Sequence, residues 1–158
     1  MRTFLLLALL AAAPAAAQTA APDADPAASV RETVTALFDA MRAADSAGVR
    51  ATFHPQARLL TAVNEDGAYR VAQTDLGRFL TAVADAPVTF DERVGEIEVR
   101  TDDGLATAWM PYRFYAGDRF SHCGVNAMQL VLDRPPAEGA APRWRIAQII
   151  DTRRTDCE

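Results

Sequence analysis

Residues 105–132 read LATAWMPYRFYAGDRFSHCGVNAMQLVL. Two runs rich in aromatic and branched apolar residues flank Gly117-Asp118, a dipeptide suited to a two-residue turn, so the stretch predicts a long hairpin. Its strands are Leu105–Tyr115 and Phe120–Leu132. A loop of Gly117 and Asp118 places Tyr115 opposite Phe120, Arg113 opposite His122, Trp109 opposite Asn126 and Thr107 opposite Met128. Opposite residues share a sheet face.

Outward from this hairpin, the strand pattern continues on both sides. Upstream, Val88, Phe90 and Val94 alternate on one parity and Ile97 and Val99 on the other. A bulge near Gly95 would keep all five on one face and bend the strand. Asp102-Asp103-Gly104 makes the next turn. Downstream, the Pro-rich loop Asp133–Pro142 leads to a last strand, Trp144–Arg153. Centred near Glu138, that loop puts Leu132 across from Trp144, Leu130 from Ile146, Met128 from Gln148 and Asn126 from Ile150.

One continuous face then reads Leu132, Trp144, Leu130, Ile146, Met128, Gln148, Asn126, Ile150, Trp109, Arg113 and His122 and, apart from Gln148, is apolar at one end and polar at the other. The opposite face carries Tyr112, Cys123, Val125, Ala127, Gln129, Ala147, Ile149 and Asp151 and is the expected outer or dimer surface. A two-residue Asp103-Gly104 turn would instead pair Val99 with Ala108 and Ile97 with Met110, which favours the other face. A slip of one residue exchanges the two faces completely.

Helical patterns precede the strands. Ser29 and Glu32 read as a capping box before Val30, Val34, Leu37, Phe38 and Met41, which recur at helical spacing. Asp45 caps a short second helix that Pro55 stops, and Thr74 caps a third with Leu76, Phe79, Leu80 and Val83 on one stripe. Between them, Arg58–Val63 and Tyr69–Ala72 are strand candidates around the turn Asn64-Glu65-Asp66-Gly67. The fold class is α+β: three N-terminal helices packed on a strongly curved antiparallel sheet, a cone whose interior is a natural pocket.

The ends of the chain indicate a compartment. Met1–Ala17 has a basic start at Arg2, a short apolar run over Phe4–Ala13 and a small-residue site at Ala15-Ala16-Ala17, the pattern of a secretory signal. Gln18–Ala28, rich in Ala, Pro and Asp, is expected as a disordered tether, and the domain as residues 29–158. The protein is then exported, periplasmic or secreted. Export implies oxidation, so Cys123 and Cys157 are expected as a disulfide pinning the C-terminal tail; the alternative is two independent thiols.

Composition narrows the partners. Of 158 residues 50% are hydrophobic and 23% charged, which fits a globular domain. The 16 basic residues, all arginine, face 21 acids, for a net charge of −5 without basic clusters. Nucleic acid and anionic lipid are poor partners for such a chain. No second long apolar run provides a membrane span. No phosphate-binding glycine loop, nucleophile elbow or metal-ligand spacing is present, so no cofactor and no metal are expected.

At this point the chain resembles the NTF2-like superfamily, in particular its SnoaL-like and DUF4440-like bacterial members. The resemblance rests on three segments and covers residues 30–153. They are Val30-Arg31-Glu32-Thr33-Val34-Thr35-Ala36-Leu37-Phe38, Phe53-His54-Pro55-Gln56-Ala57-Arg58-Leu59, and Arg143-Trp144-Arg145-Ile146-Ala147. It implies the cone fold. It does not choose among the superfamily's isomerases, cyclases, dehydratases, hydrolases and non-catalytic binding domains.

On the first face, Arg113 is the expected anchor for a polar ligand group, because an inward cation needs an anion. The alternative for Arg113 is a salt bridge at the rim. His122 is a candidate acid or base, Asn126 a partner for a carbonyl, and Trp109 pocket wall. Asp151 is the other candidate base, since the superfamily's acid–base enzymes often use a carboxylate from a late strand, although this register puts it outside. His54 is expected to cap a helix end and Asp39 to be solvated.

Three functions follow from this pattern. The first is a non-catalytic domain binding a small, mostly apolar molecule. The second is an isomerase, cyclase or dehydratase with His122 or Asp151 as base. The third is a dimeric interaction module with a filled interior.

Overall fold

The structure is a computed structural model and describes residues 25–134 and 141–157. The signal-like Met1–Ala17, most of the tether stretch and residues 135–140 of the Pro-rich loop lie outside the described residues.

Helix α1 spans Pro26–Arg42 and buries Val30, Val34, Leu37, Phe38 and Met41, the predicted stripe. It starts earlier than expected. Asp25 is the N-cap, accepting from the Ala27 amide at 3.0 Å, and Pro26 occupies the first turn, where its missing N–H costs nothing. Ser29 therefore sits inside the helix, and its carbonyl accepts from the Thr33 hydroxyl. Helix α2, Ser46–Thr52, is capped by Asp45, whose carboxylate accepts from the Gly48 amide at 2.9 Å. Helix α3, Leu76–Ala84, is capped by Asp75 instead of Thr74, through the Arg78 amide at 3.1 Å.

The strands are β1 (Phe53–Glu65), β2 (Ala68–Thr74), β3 (Phe90–Val94), β4 (Glu98–Asp102), β5 (Leu105–Ala116), β6 (Arg119–Asp133) and β7 (Arg143–Thr152). They form one sheet in the order β2-β1-β7-β6-β5-β3, with β4 also on β5. One pair departs from the antiparallel expectation: β1 runs parallel to β7. The core lies between α1, α2, α3 and the inner face of this curved sheet. Leu130, Met110, Met128 and Ile146 are almost completely buried there beside Val34 and Leu37. Among the described residues no helix is long and apolar enough to cross a membrane.

Three irregularities set which side chains face that core. Between β3 and β4 the partners on β5 slip by one, from Val94 opposite Tyr112 to Glu98 opposite Trp109. Phe90, Val94, Ile97 and Val99 thereby pack on one side, as a bulge near Gly95 predicts, while Val88 is exposed. Pro111 of β5 falls in this gap, where an absent N–H breaks no ladder bond, and its carbonyl accepts from the Gly95 amide at 2.8 Å. A side chain at 95 would meet the Pro111 ring at 2.9 Å, so this approach requires glycine.

The second irregularity is in the β5–β6 hairpin. Ala116 pairs with Arg119 across Gly117-Asp118 and Tyr115 with Phe120, as expected, but the next pair is Phe114 with His122. The third is in β6–β7, where Leu130 pairs with Ile146, as expected, but Gln129 pairs with Gln148. Ser121 and Ala147 are the extra residues.

Candidate functional site

Because Ser121 is bulged, β5 reverses its facing relative to β6 beyond Tyr115. Met110, Tyr112 and Phe114 point inward and Trp109 and Arg113 outward. Because Ala147 is bulged, β7 turns Ile149 and Asp151 inward while Trp144 and Ile146 also stay inside. Two expected pocket residues are therefore corrected. Trp109 is 53% exposed and lines an outer groove with Glu98, Arg100 and Gln148. Arg113 is exposed and donates to the Cys157 carbonyl at 3.2 Å. Tyr112 and Asp151, assigned to the outer face, are buried and line the inner cavity. His122 and Asn126 line it too. The two-residue Asp103-Gly104 turn forms, with Val99 opposite Ala108, the pairing that favoured this face.

The cavity measures about 420 Å³. Its apolar wall comes from Leu37, Phe38 and Met41 of α1, Phe79 of α3, Phe90 of β3, Phe114 of β5 and Met128 of β6. Its polar wall comes from neighbouring strands and centres on two carboxyl groups with different surroundings.

Asp151 is saturated. Its Oδ1 accepts from Thr61 Oγ1 at 2.6 Å, and its Oδ2 accepts from Arg153 Nε at 2.8 Å. The Tyr112 hydroxyl lies 3.1 Å from Oδ2 and 3.0 Å from the Thr152 carbonyl, so its one proton is shared between two acceptors. Burial, followed by the nearby Asp151 and Glu92 charges, pushes the Tyr112 phenol up, which keeps it a neutral donor. The close passage of Thr152 over β6 depends on Gly124. A Cβ there would clash with the Thr152 carbonyl and sit 3.0 Å from the Tyr112 ring.

Glu92 is sparsely bonded. Among the described residues its one hydrogen bond is from Asn126 Nδ2 to Oε1 at 2.7 Å. Burial first, then the charge of Asp151, pushes its carboxyl up to about 7, against the opposing pull of the Asn126 bond. It is therefore divided between acid and carboxylate near neutral pH. Its neighbour Asp91 points the other way, bonded to Arg42 Nε at 2.8 Å and Arg93 Nε at 2.7 Å, which ties β3 to the end of α1.

His122 stacks on Phe114 with ring centres 5.1 Å apart and meets Tyr112 edge-on at 5.7 Å. Its Nδ1 is 3.0 Å from Ser121 Oγ. Burial, then the Arg153 charge, lowers its pKa, so it is neutral at neutral pH.

Glu92, Tyr112, Thr61 and Arg153 were missing from the expected site. For Glu92 a signal existed: Phe90-x-Glu92-x-Val94 puts an acid in the apolar alternation of an inward-facing strand. For Tyr112 the signal was the Asp103-Gly104 turn, which puts Met110 and with it Tyr112 on the side of Val99. For Arg153 there was none, because its place follows the Ala147 bulge. His54 does not cap the helix: Phe53 is the C-cap of α2, and His54 lies in β1, where its Nδ1 accepts from the Gln56 amide at 3.2 Å; Asp39 is exposed beside Arg42. Cys123 and Cys157 form a disulfide with Cα atoms 6.2 Å apart. Among the described residues no group of three or more His, Cys, Asp or Glu side chains is placed to hold a metal.

Helices closing a curved sheet over an apolar cavity with polar groups on one wall define an NTF2-like cone. The chain belongs to the NTF2-like superfamily and, within it, to the family described as "Putative lumazine-binding", whose model matches residues 25–126. Three solved structures share the fold. An NTF2-like protein from Cytophaga hutchinsonii is 9% identical with a TM-score of 0.63, covering 82% of this chain and 99% of that one. A "Putative Scytalone Dehydratase" from Novosphingobium aromaticivorans is 11% identical with a TM-score of 0.59, covering 83% and 87%. A "putative ketosteroid isomerase" from Shewanella frigidimarina is 14% identical with a TM-score of 0.55, covering 78% and 94%. No curated protein matches the chain in sequence.

Proposed function

We propose that the domain binds a small, mostly apolar molecule in the inner cavity and grips a carbonyl or hydroxyl on that molecule with Glu92, Asn126 and His122. The observation that carries this is the cavity itself: space for a small ring system, walled by four phenylalanines and facing a cluster whose charges are largely compensated. Asp151 is matched by Arg153, His122 is neutral, and Glu92 is partly protonated. This inner wall favours an uncharged ligand over an ion, and the exposed Arg78 on the lining can meet a partial negative charge on it. The family's description points to fused heteroaromatic rings as the first compounds to try. We also infer export, from the pattern of Met1–Ala17 and the cystine.

The test is a thermal-shift and native mass-spectrometry screen of lumazine, other bicyclic heteroaromatics and ring ketones. Ala82→Trp is the control, since Ala82 is exposed at the cavity's edge and a Trp there would fill the space. Stabilisation of the native chain that disappears in Ala82→Trp is expected. No stabilisation by any compound, or the same stabilisation in the variant, would defeat the proposal.

A second reading, proton transfer on the bound molecule, is favoured by one observation. A carboxyl that titrates near 7 and, among the described residues, has no hydrogen-bond partner at Oε2 is suited to act as acid or base. Glu92 carries that role better than Asp151, whose oxygens are occupied by three donors. Deuterium exchange at the α-carbon of a retained ring ketone, lost in Glu92→Gln, would establish it.

A further inference from the structure

We propose that the C-terminal segment after β7, stapled to β6 by the disulfide, is part of the pocket's construction: it holds Arg153 as a positioning residue for the Asp151 carboxylate. The inference rests on the cavity being the site only in what it is for; the geometry stands without any ligand.

The segment has little to hold it by packing, since residues 152–156 are exposed. Its anchors are specific. Arg154 and Cys123 exchange two backbone hydrogen bonds of 2.9 Å, continuing the β6–β7 register. The Val125 amide donates to Thr152 Oγ1 at 3.1 Å. Cys157 is bonded to Cys123, and its carbonyl accepts from Arg113. Arg113, turned away from the cavity by the Ser121 bulge, thus acts as a second clasp at the far end of the strap.

Between these anchors, Arg153 turns back to Asp151. The guanidinium is half-exposed, with 54% side-chain exposure against 9% for Asp151, so its stem is free to swing unless the backbone on either side is fixed. With Arg153 gone, Asp151 would keep two donors, Thr61 and a Tyr112 proton shared with Thr152. The carboxylate would then be free to rotate toward Tyr112, Glu92 and the ligand space. The strap therefore couples a covalent bond on the outer face to the orientation of an acid on the inner face.

The experiment reads His122 by NMR, because Arg153 and Asp151 act on this ring with opposite sign. The same cavity also presents Thr61, Gln73, Thr74, Arg78, Glu92, Tyr112 and Asn126, and Ser121 Oγ lies against the ring's Nδ1. Arg153→Gln should shift the His122 titration upward, since a repelling cation is removed. Cys157→Ser should shift it the same way, Arg113→Gln by less, and Cys157→Ser combined with Arg153→Gln no further than Arg153→Gln alone. The upward shift should also appear on reducing the folded protein with a phosphine, which covers the case in which Cys157→Ser does not fold. Two results would overturn the proposal. One is a wild-type titration after reduction or in folded Cys157→Ser. The other is an additive shift in the double variant. Compound binding is scored separately: a protein that binds nothing but shows these shifts refutes the proposed function and leaves this inference intact.

Discussion

Residues 109 to 114 of β5 have two fates at a spacing of one residue. Met110, Tyr112 and Phe114 turn into the cone, while Trp109, Pro111 and Arg113 turn out. By size and hydrophobicity Trp109 has more to gain from burial than Tyr112, yet it is half-exposed and Tyr112 is buried. The difference teaches that burial in a sheet is decided for whole strands. Register is chosen by the summed gain of Ala106, Ala108, Met110, Met128, Leu130 and Ile146, and a single large residue follows the parity it is given.

That comparison breaks most visibly at Leu130, which has no exposed surface, and its neighbour Gln129, which is exposed on the other face. Leu130→Ala should cost about 2–5 kcal/mol of unfolding free energy, as lost transfer energy plus a cavity. Gln129→Ala should stay within about 0.5 kcal/mol. Urea midpoints measure both. Equal effects would mean that the two faces are not distinguished as described.

The two carboxyls of the inner wall sharpen the comparison through pH. Glu92 titrates at about 7 when folded against 4.5 as a model group, so the native state binds its proton more tightly than the unfolded chain. Its contribution is fully present below about 4.5, falls as pH rises through the interval to about 7, and is then constant; the drop is on the order of 3 kcal/mol. Glu92→Gln removes this slope, so the variant should gain on the wild type between pH 4.5 and 7 and keep that gain at pH 8. The difference between the two stability curves isolates the group. Parallel curves would show that Glu92 is ordinary.

How much of this was legible in the sequence depends on distance from a turn. Near Gly117-Asp118 the pairing of Tyr115 with Phe120 follows from the loop, and near the last loop so does Leu132 with Trp144. Beyond Ser121 and Ala147 it does not. A bulge leaves composition and periodicity almost unchanged, yet it reverses the facing of everything that follows on one strand. His122 and Asn126 stay inside because they lie on β6 and share the parity of Met128 and Leu130. Arg113 and Asp151 change sides because they lie on the partner strands. The fold was easier to read: the helical stripe of α1 and the turn at Gly117-Asp118 are local signals that tertiary packing did not override, and the turn read over Asn64–Gly67 forms in its second half, Asn64 and Glu65 pairing in β1. The helix starts were less legible, since Asp25 and Asp75 compete with Ser29 and Thr74 for the same role at a spacing of a few residues.

Tyr112 tests whether the inner polar wall is held by hydrogen bonds or by ring packing. Tyr112→Phe keeps the ring against His122 and removes one proton from two acceptors, Asp151 and the Thr152 carbonyl. Asp151 retains Thr61 and Arg153, so the loss should be about 1–2 kcal/mol and no larger. Cooling of the thermal midpoint by several degrees is the expected reading. A change below that would assign the wall's rigidity to Thr61 and Arg153 alone.

The smallest effect belongs to Trp109. It lies beside Ala127 and Glu98 on neighbouring strands, with about half its surface already in water. Truncation removes only the remaining contacts and creates no cavity in the core. Trp109→Ala should therefore cost about 1 kcal/mol or less. The cost should also be independent of protein concentration, because nothing among the described residues covers this groove. A larger loss that grew on concentrating the sample would show Trp109 to be buried against another molecule in solution. The contrast between the two faces of β5 would then be one between two buried surfaces, one filled by the chain's own helices and the other by a partner.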